Sequence, residues 1–511
     1  MRTSGVLMHI SSLPSNFGIG TLGVEAYKFV DFLKASGQTY WQVLPLCPTS
    51  YGDSPYQSFS TFAGNPYFID FDMLCNDGLL KKSDYSRINW GNNPEKVDFE
   101  KLYKNRFKVL EKAYNNFDLS NADYFSFCDN NAFWLNDFAL YMALKNSFNG
   151  KPWIEWETDL KTRKTDAISK AKDELKDGIE FQKFIQYLFF AQWTSLKKYA
   201  NDNGIYIIGD IPIYVAGDSA DVWANPKNFL LDEDCNPIEV AGCPPDAFTD
   251  DGQLWGNPLY DWEYMKNDNY SWWKERIKHQ YSLCDVIRID HFRGFESYYC
   301  IPASAKTAKI GEWRKGPGIE FFREIEKDLG KMNIIAEDLG FLTPAVKKML
   351  KQSKYPGMKV LQFAFDTSEE NDYLLHNFTK NSVAYVGTHD NDTIMGYMTK
   401  TAPRKTRKRA KDYLRLTRKE GYNWGMMKAI WSSNSDTAIV TMQDLLGLGN
   451  EARMNYPSTV KDNWQWRAKT DYLSDELAEK IKYYTTIYQR LPKVKRGKNN
   501  VKNSKWCNIT C

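Results

Sequence analysis

The segment Val286 to Gly294 reads Val-Ile-Arg-Ile-Asp-His-Phe-Arg-Gly, an apolar run that ends in an acid flanked by two arginines. In a strand successive side chains alternate sides, so Arg288 and Asp290 are expected to project together while Ile287 and Ile289 face away. An arginine beside a carboxylate favours its ionised form, which suits an acid that attacks or that stabilises positive charge. A structural salt bridge at a strand end is the plain alternative. Other acids close other short apolar runs: Asp210 follows Ile207 and Ile208, Glu337-Asp338 follows Ile334-Ile-Ala336, and His389-Asp390 follows Val383 to Val386. Gathered at one mouth these acids would repel one another, an arrangement that is costly without a function.

Carboxylates without an obvious metal cage fit glycoside chemistry, in which one acid protonates the leaving oxygen and another carboxylate attacks the sugar carbon. Asp290, beside Arg288, is expected to stay ionised and act as nucleophile. Glu337, crowded by Asp290, Asp338 and Asp390, is expected to have a raised pKa and to keep a proton to donate. Asp390 is left to hold sugar hydroxyls and favour ring distortion. His389 and His291 are candidate hydrogen-bond donors, with packing an equal reading for His291. Neither a His-x-Glu pair nor a Cys/His cluster occurs, so neither a metal nor a cofactor is expected.

These residues need a scaffold that brings strand ends together. Eight β-rich runs recur: Val6–Ile10, Tyr40–Leu44, Ile205–Ile208, Asp285–Asp290, Asn333–Ala336, Lys359–Phe363, Val383–Val386 and Ala438–Met442. The crossovers between them are long enough for parallel pairing, which predicts an α/β chain built as a (β/α)₈ barrel. Barrel enzymes carry their chemistry at the C-terminal strand ends, where the acids fall. Residues 1–511 read as a single catalytic barrel with two insertions: 74–178, mainly helical, and 214–273, a long active-site loop with Pro-Pro, Gly-Gln and Gly-Asn turn pairs. Within the first, Asn131 to Lys145 places Phe133, Trp134, Phe138, Tyr141, Met142 and Leu144 at near-helical spacing, a stripe that reads as core. Phe181 to Ala200 reads as an amphipathic helix leading into the third strand.

The 67 basic and 64 acidic residues leave a formal charge of +3, so neither nucleic acid nor an acidic membrane is an expected partner. Loop aromatics are abundant among 17 Trp, 31 Tyr and 29 Phe, which suits flat, weakly polar ligands such as sugars. The nine cysteines lack paired close spacing and read as free thiols of a reducing compartment. No signal peptide core or membrane span appears, and a cytoplasmic protein is expected. The basic run Arg404 to Lys419 reads as one exposed helix with Tyr413, Leu414 and Leu416 inside. The Lys- and Asn-rich tail, Lys493 to Cys511, is expected to be loosely held.

Arg288-Ile-Asp290-His-Phe-Arg-Gly294, Ala336-Glu-Asp-Leu-Gly340 and Gly387-Thr-His-Asp-Asn-Asp-Thr393 resemble the amylomaltases, or 4-α-glucanotransferases, of the α-amylase clan. Ser54–Gln57, Gly209–Val215, Gly217–Trp223, Gly252–Pro258, Gly316–Gly318 and Gln443–Gly447 resemble the same family in the expected order. Each motif is short, but the ordered set is specific. The resemblance implies transfer of an α-1,4-linked glucan segment from donor to acceptor sugar with retention, through a covalent glucosyl-enzyme, with maltooligosaccharides and α-1,4-glucans as partners. It implies Asp290 as nucleophile, Glu337 as acid/base and Asp390 as transition-state stabiliser. It places Arg288 and His389 among the sugar-site polar residues, Tyr56 as an aromatic platform, and Asp210 and Trp255 in matching strand-end and acceptor-loop positions. The chain opens at the first barrel strand, so the compact form without an added N-terminal domain is expected. Around Tyr299–Pro302 and Ser304 the family pattern is only partly kept, and the tail after Pro492 has none of it.

Three alternatives stand beside this reading. A retaining hydrolase of the same clan would use the same acids, because either water or a sugar hydroxyl can resolve the intermediate. A phosphate-handling barrel is recommended by Gly447-Leu-Gly-Asn450 after the eighth run, where barrel phosphate sites often lie. A non-catalytic α-glucan-binding protein is the reading from another class.

Overall fold

All eight apolar runs become strands that pair in parallel and close into a barrel in the computed structural model, which describes residues 2–50, 52–245, 250–340, 342–366 and 371–492. The strands are Thr3–Leu7, Tyr40–Gln42, Tyr206–Pro212, Val286–Asp290, Ile334–Ala336, Gly357–Val360, Ser382–Tyr385 and Thr437–Thr441. Each lies between its neighbours in chain order, and the last returns to the first through the register Thr3 to Thr437 and Leu7 to Thr441. The tail from Lys493, with its expected looseness, lies outside the described residues.

Period-two alternation divides the strand side chains between two cores. Leu7, Ile208, Ile335, Met358, Val360, Val383, Tyr385 and Ile439 pack together inside the barrel. Their neighbours Val6, Ile207, Ile287, Ile289, Ile334, Ala384 and Val440 join the larger core that the surrounding helices cover. Each fully buried aliphatic side chain contributes about 1.5–3 kcal/mol, and a one-residue slip in register would exchange the two sets. Gly5 has a steric reason to be glycine: a Cβ there would lie 2.6 Å from the Tyr40 Cβ and 2.8 Å from Ile439 Cδ1.

Between the second and third strands the chain forms helices that include Phe71–Asn76, Phe99–Asn115, Ala122–Asn130, Ala132–Ser147 and Lys176–Asp202. The last anchors the backbone downstream of Tyr56. Gln186 exchanges two hydrogen bonds with Gly64, at 2.7 and 2.9 Å, and Gln192 does the same with Asp70, at 2.7 and 3.1 Å. Along Ala132–Ser147, Trp134, Phe138, Tyr141 and Leu144 are buried as their spacing predicts. Phe133 is not: it is 51% exposed, because helical spacing places it at the margin of the apolar stripe.

Residues 214–273, expected as a loop, contain the strands Glu239–Cys243 and Gln253–Pro258. With Ser297–Pro302 and Glu312–Lys315 they make a four-stranded antiparallel sheet beside the barrel. The partner strands lie far along the chain, so turn-rich composition alone concealed the pairing. The basic run is helical only over Arg404–Leu414, ends at left-handed Arg415, and buries Thr406 and Ala410. Tyr413 is 37% exposed, while Leu414 and Leu416 are partly buried against the core.

Candidate active site

The fourth strand carries the charged layer at the barrel mouth. Arg288, on the inward side with Asp290, pairs across the strand register with Asp210. Its Nη1 donates to both Asp210 carboxylate oxygens, at 2.8 and 2.7 Å, and its Nη2 donates to Asp290 Oδ1 at 2.8 Å. Asp210 is wholly buried; burial pushes its carboxyl up, and Arg288 opposes that shift. Removing Arg288 would leave a buried carboxylate uncompensated, a change that typically costs about 3–5 kcal/mol. Asp290 is the open end of this pair, its side chain 31% exposed.

Glu337 stands two residues beyond inward-facing Ile335 and so points into the same mouth. The chain turns sharply after Asp290: His291 is left-handed at φ 55°. That turn aims the His291 N–H at Glu337 Oε2, 2.7 Å away, while Leu339 N–H donates to Oε1 at 2.8 Å. Burial pushes the Glu337 carboxyl up to about 8, the neighbouring Asp290 charge adds to this, and Arg288 with the two N–H donors opposes it. The expected rise is present, but its expected cause is corrected: burial leads. Asp338 faces outward, where it accepts Met358 N–H at 2.6 Å, and neither Asp338 nor Asp390 is among the main contributors.

Asp390 lies in the loop after the seventh strand. Burial alone would raise its carboxyl, but His389, Asn455 and Arg288 bring it down to about 2. Asn455 Nδ2 donates to Oδ1 at 2.6 Å, and His389 Nε2 lies 3.3 Å from Oδ2. Arg453 holds the same loop through the Asp390 carbonyl and Asp392, both at 2.5 Å. Tyr56 donates its hydroxyl to Asp210 Oδ2 at 2.7 Å and stacks on His389 with centroids 5.2 Å apart. Trp464 packs against both rings at 5.9 Å. Buried His389 Nδ1 has no hydrogen-bond partner among the described residues.

Trp255 sits on an edge strand of the small sheet and meets the His291 ring edge-on, centroids 4.8 Å apart at 84°. Its Nε1 donates to Gln253 at 3.1 Å. All eight predicted site residues therefore connect to one mouth: Tyr56, Asp210, Arg288, Asp290 and Glu337 through charge and hydrogen bonds, His389 and Asp390 through Tyr56 and Arg288, and Trp255 through His291.

Asn455, Arg453 and Trp464 were missed. They lie in an irregular segment after the eighth strand, and position beyond a barrel strand end was the signal that could have found them. The glycines there form no open anion cradle. Gly449 N–H donates to Glu451 Oε1 at 2.8 Å, and the Asn450 side chain is taken up by Thr393 N–H and Asp392. Among the described residues no three His, Cys, Asp or Glu side chains group as metal ligands, and no helix is long and apolar enough to cross a membrane.

A closed parallel barrel with carboxyl groups gathered at its C-terminal mouth defines a barrel-enzyme class of site, with groups suited to acid/base and nucleophilic work on a polyhydroxylated ligand. Residues 8–473 match the family model described as 4-alpha-glucanotransferase, and the chain belongs to that family. It is 53% identical over 485 residues to a 4-alpha-glucanotransferase of Clostridium butyricum, covering 94% of this chain and 100% of that protein. It is 43% identical over 501 residues to one from Thermus thermophilus, covering 96% and 99%. The solved amylomaltase from Streptococcus agalactiae in complex with acarbose superposes with a TM-score of 0.94 at 44% identity, covering 96% of this chain and 100% of that one.

Proposed function

We propose that this chain moves α-1,4-linked glucan segments from a donor to an acceptor sugar with retained configuration. The observation that carries the reading is the contrast between two adjacent acids: Asp290 ion-paired with Arg288 and buried Glu337 with its carboxyl pushed up to about 8. That contrast separates a nucleophile from a proton donor. Asp290 attacks the anomeric carbon; as the new C–O bond forms, the glycosidic bond breaks and Glu337 gives its proton to the departing oxygen. The acceptor then enters. Glu337, now a carboxylate, takes the acceptor hydroxyl proton while that oxygen displaces Asp290 from the sugar.

Asp390, held low by His389, Asn455 and Arg288, stays charged to bind hydroxyls and favour the positive charge that develops on the ring. Tyr56 and His389 present a stacked aromatic wall, Arg288 and Asp210 fix the charged floor, and Trp255 flanks the acceptor side. The donors and acceptors are maltooligosaccharides and α-1,4-glucans, supported by the relatives' shared activity name. Cytoplasmic work is supported by the free thiols of Cys47, Cys75, Cys128, Cys235, Cys284 and Cys300.

Product analysis with maltotriose as sole substrate tests the reading. Glucose together with a ladder of longer oligosaccharides is the expected result. Glucose and maltose alone would identify a hydrolase, and unchanged maltotriose would identify a binding protein.

A further inference from the structure

The segment that follows the eighth strand turns two side chains towards the Asp390 loop. Arg453 leaves the short turn Asn450–Ala452 in extended conformation, at φ −62° and ψ 138°, and in an extended chain alternate side chains share a side. Met454 is accordingly buried in the main core, while Arg453 and Asn455 both reach the loop.

Each nitrogen of the Arg453 guanidinium is taken up within the protein. Nη2 donates to the Asp390 carbonyl and Nη1 to Asp392 Oδ1, both at 2.5 Å, and Nε donates to the Asn455 carbonyl at 2.8 Å. One rigid planar group therefore fixes the main chain of Asp390 relative to that of Asn455, whose Nδ2 holds Asp390 Oδ1 at 2.6 Å. The Tyr456 ring covers the guanidinium, whose central carbon lies 4.1 Å from the ring centroid. Asp392 is itself braced. Its Oδ1 also accepts Asn450 Nδ2 at 2.8 Å, its Oδ2 accepts the Thr401 hydroxyl at 2.5 Å, and its carbonyl accepts Gln362 Nε2 at 2.8 Å. Gln362 follows the sixth strand, Asp392 the seventh and Arg453 the eighth, so three successive strand ends hold the fork. Arg453 is not among the main contributors to the low Asp390 carboxyl; it supplies that acid with position rather than field.

We propose that Arg453 is a positioning residue: it sets the place of Asn455 against Asp390 and so aims the Asp390 carboxylate at the sugar ring. The inference rests on the functional reading for the role of Asp390. A lysine cannot replace it, because an ammonium has no planar fork to span the three acceptors. An acid whose contact strengthens as charge develops on the ring is felt in kcat rather than in KM when it is displaced.

A double-mutant cycle between Arg453→Lys and Asn455→Ala, with maltotriose as substrate and circular-dichroism melts as the folding check, tests the inference. Arg453→Lys should lower kcat about tenfold with KM within about twofold, and should move the acid limb of the rate profile upward. Arg288, His389 and Tyr56 also face Asp390 and are unchanged in every variant, so the limb reports the Asn455 bond. In the Asn455→Ala background the same substitution should change kcat less than about twofold, because residues that act through one bond are not additive. Should Arg453→Lys fail to fold, Asp392→Asn loosens the same fork, and a smaller kcat loss with the same limb shift and the same non-additivity is expected. Losses that multiply across the cycle, or a lower melting temperature with an unmoved limb, overturn the inference and leave Arg453 a structural residue. Asp390→Asn separates the two readings. If it is inactive while Arg453→Lys keeps the wild-type rate and limb, the inference alone falls; if it turns over near-normally, the functional reading of Asp390 falls and takes the inference with it.

Discussion

His291 donates its backbone N–H to Glu337 Oε2 at 2.7 Å, so the residue that follows one candidate catalytic acid fixes the position of the other. The link is main chain, and substitution at His291 leaves it in place so long as the left-handed turn survives. The spacing of Asp290 and Glu337 is thus set by strand ends rather than by flexible side chains, which is the preorganisation a two-acid mechanism requires.

Asp290→Asn preserves side-chain size while removing the attacking charge. Turnover should fall at least about a thousandfold, roughly 4 kcal/mol at about 1.36 kcal/mol per tenfold. A circular-dichroism melt checks that the variant is folded, and near-normal turnover in a folded sample would sink the nucleophile assignment.

Glu337→Gln should strongly impair cleavage of maltosides but impair glucosyl fluoride less, because fluoride leaves without needing a proton. Equal losses on both substrates would show that Glu337 is not the acid.

The raised Glu337 carboxyl also predicts a pH signature. Its folded pKa, about 8 against an ordinary 4.5, means that the folded state holds the proton more tightly than the unfolded state. Stability from this group is therefore present below about pH 4.5 and is lost progressively as pH rises towards 8. Melting temperatures of wild type and Glu337→Gln should diverge in the variant's favour across that window, and kcat/KM should decline above about pH 8. Parallel stability curves would contradict the assignment.

Asn455→Ala removes the 2.6 Å hydrogen bond to Asp390 Oδ1. A hydrogen bond to a charged group contributes about 1.5–3 kcal/mol, so kcat should fall about ten- to a hundredfold. The Asp390 carboxyl should titrate at higher pH, moving the acid limb of the rate profile upward. A lower rate with an unmoved limb would mean that Asn455 serves folding alone.

Trp255→Ala should raise the ratio of hydrolysis to transfer, most at low acceptor concentration, with partial reversal by excess glucose or maltose. Equal loss of both reactions at every acceptor concentration would place Trp255 in packing or on the donor side.

The barrel was legible because its signal is local: each strand is a short apolar run closed by polar residues, and alternation alone places Arg288 beside Asp290. The small sheet was not, because Glu239–Cys243 pairs with Ser297–Pro302 across more than fifty residues, and an apolar run such as Tyr298–Ile301 does not name its distant partner. The charges at the mouth were legible as a set, whereas their causes were not. Sequence spacing placed Asp338 next to Glu337, yet strand alternation turns it outward, and burial, which no short motif encodes, dominates the Glu337 shift. Asn455 and Trp464 belong to an irregular segment whose path depends on what it packs against.

Barrel closure has a consequence for how the chain is made. Thr3 and Thr437, whose hydroxyls meet at 2.9 Å, are 434 residues apart, and Arg490 donates to the Thr3 carbonyl at 2.8 Å. At a ribosomal rate of about 5–20 residues per second, the first strand waits roughly 20 to 90 seconds for its final neighbour. Throughout that interval the growing sheet has two open edges, each a template for pairing with another chain. The same seam that makes the finished barrel edgeless makes its nascent form the stage at which misassembly competes with folding.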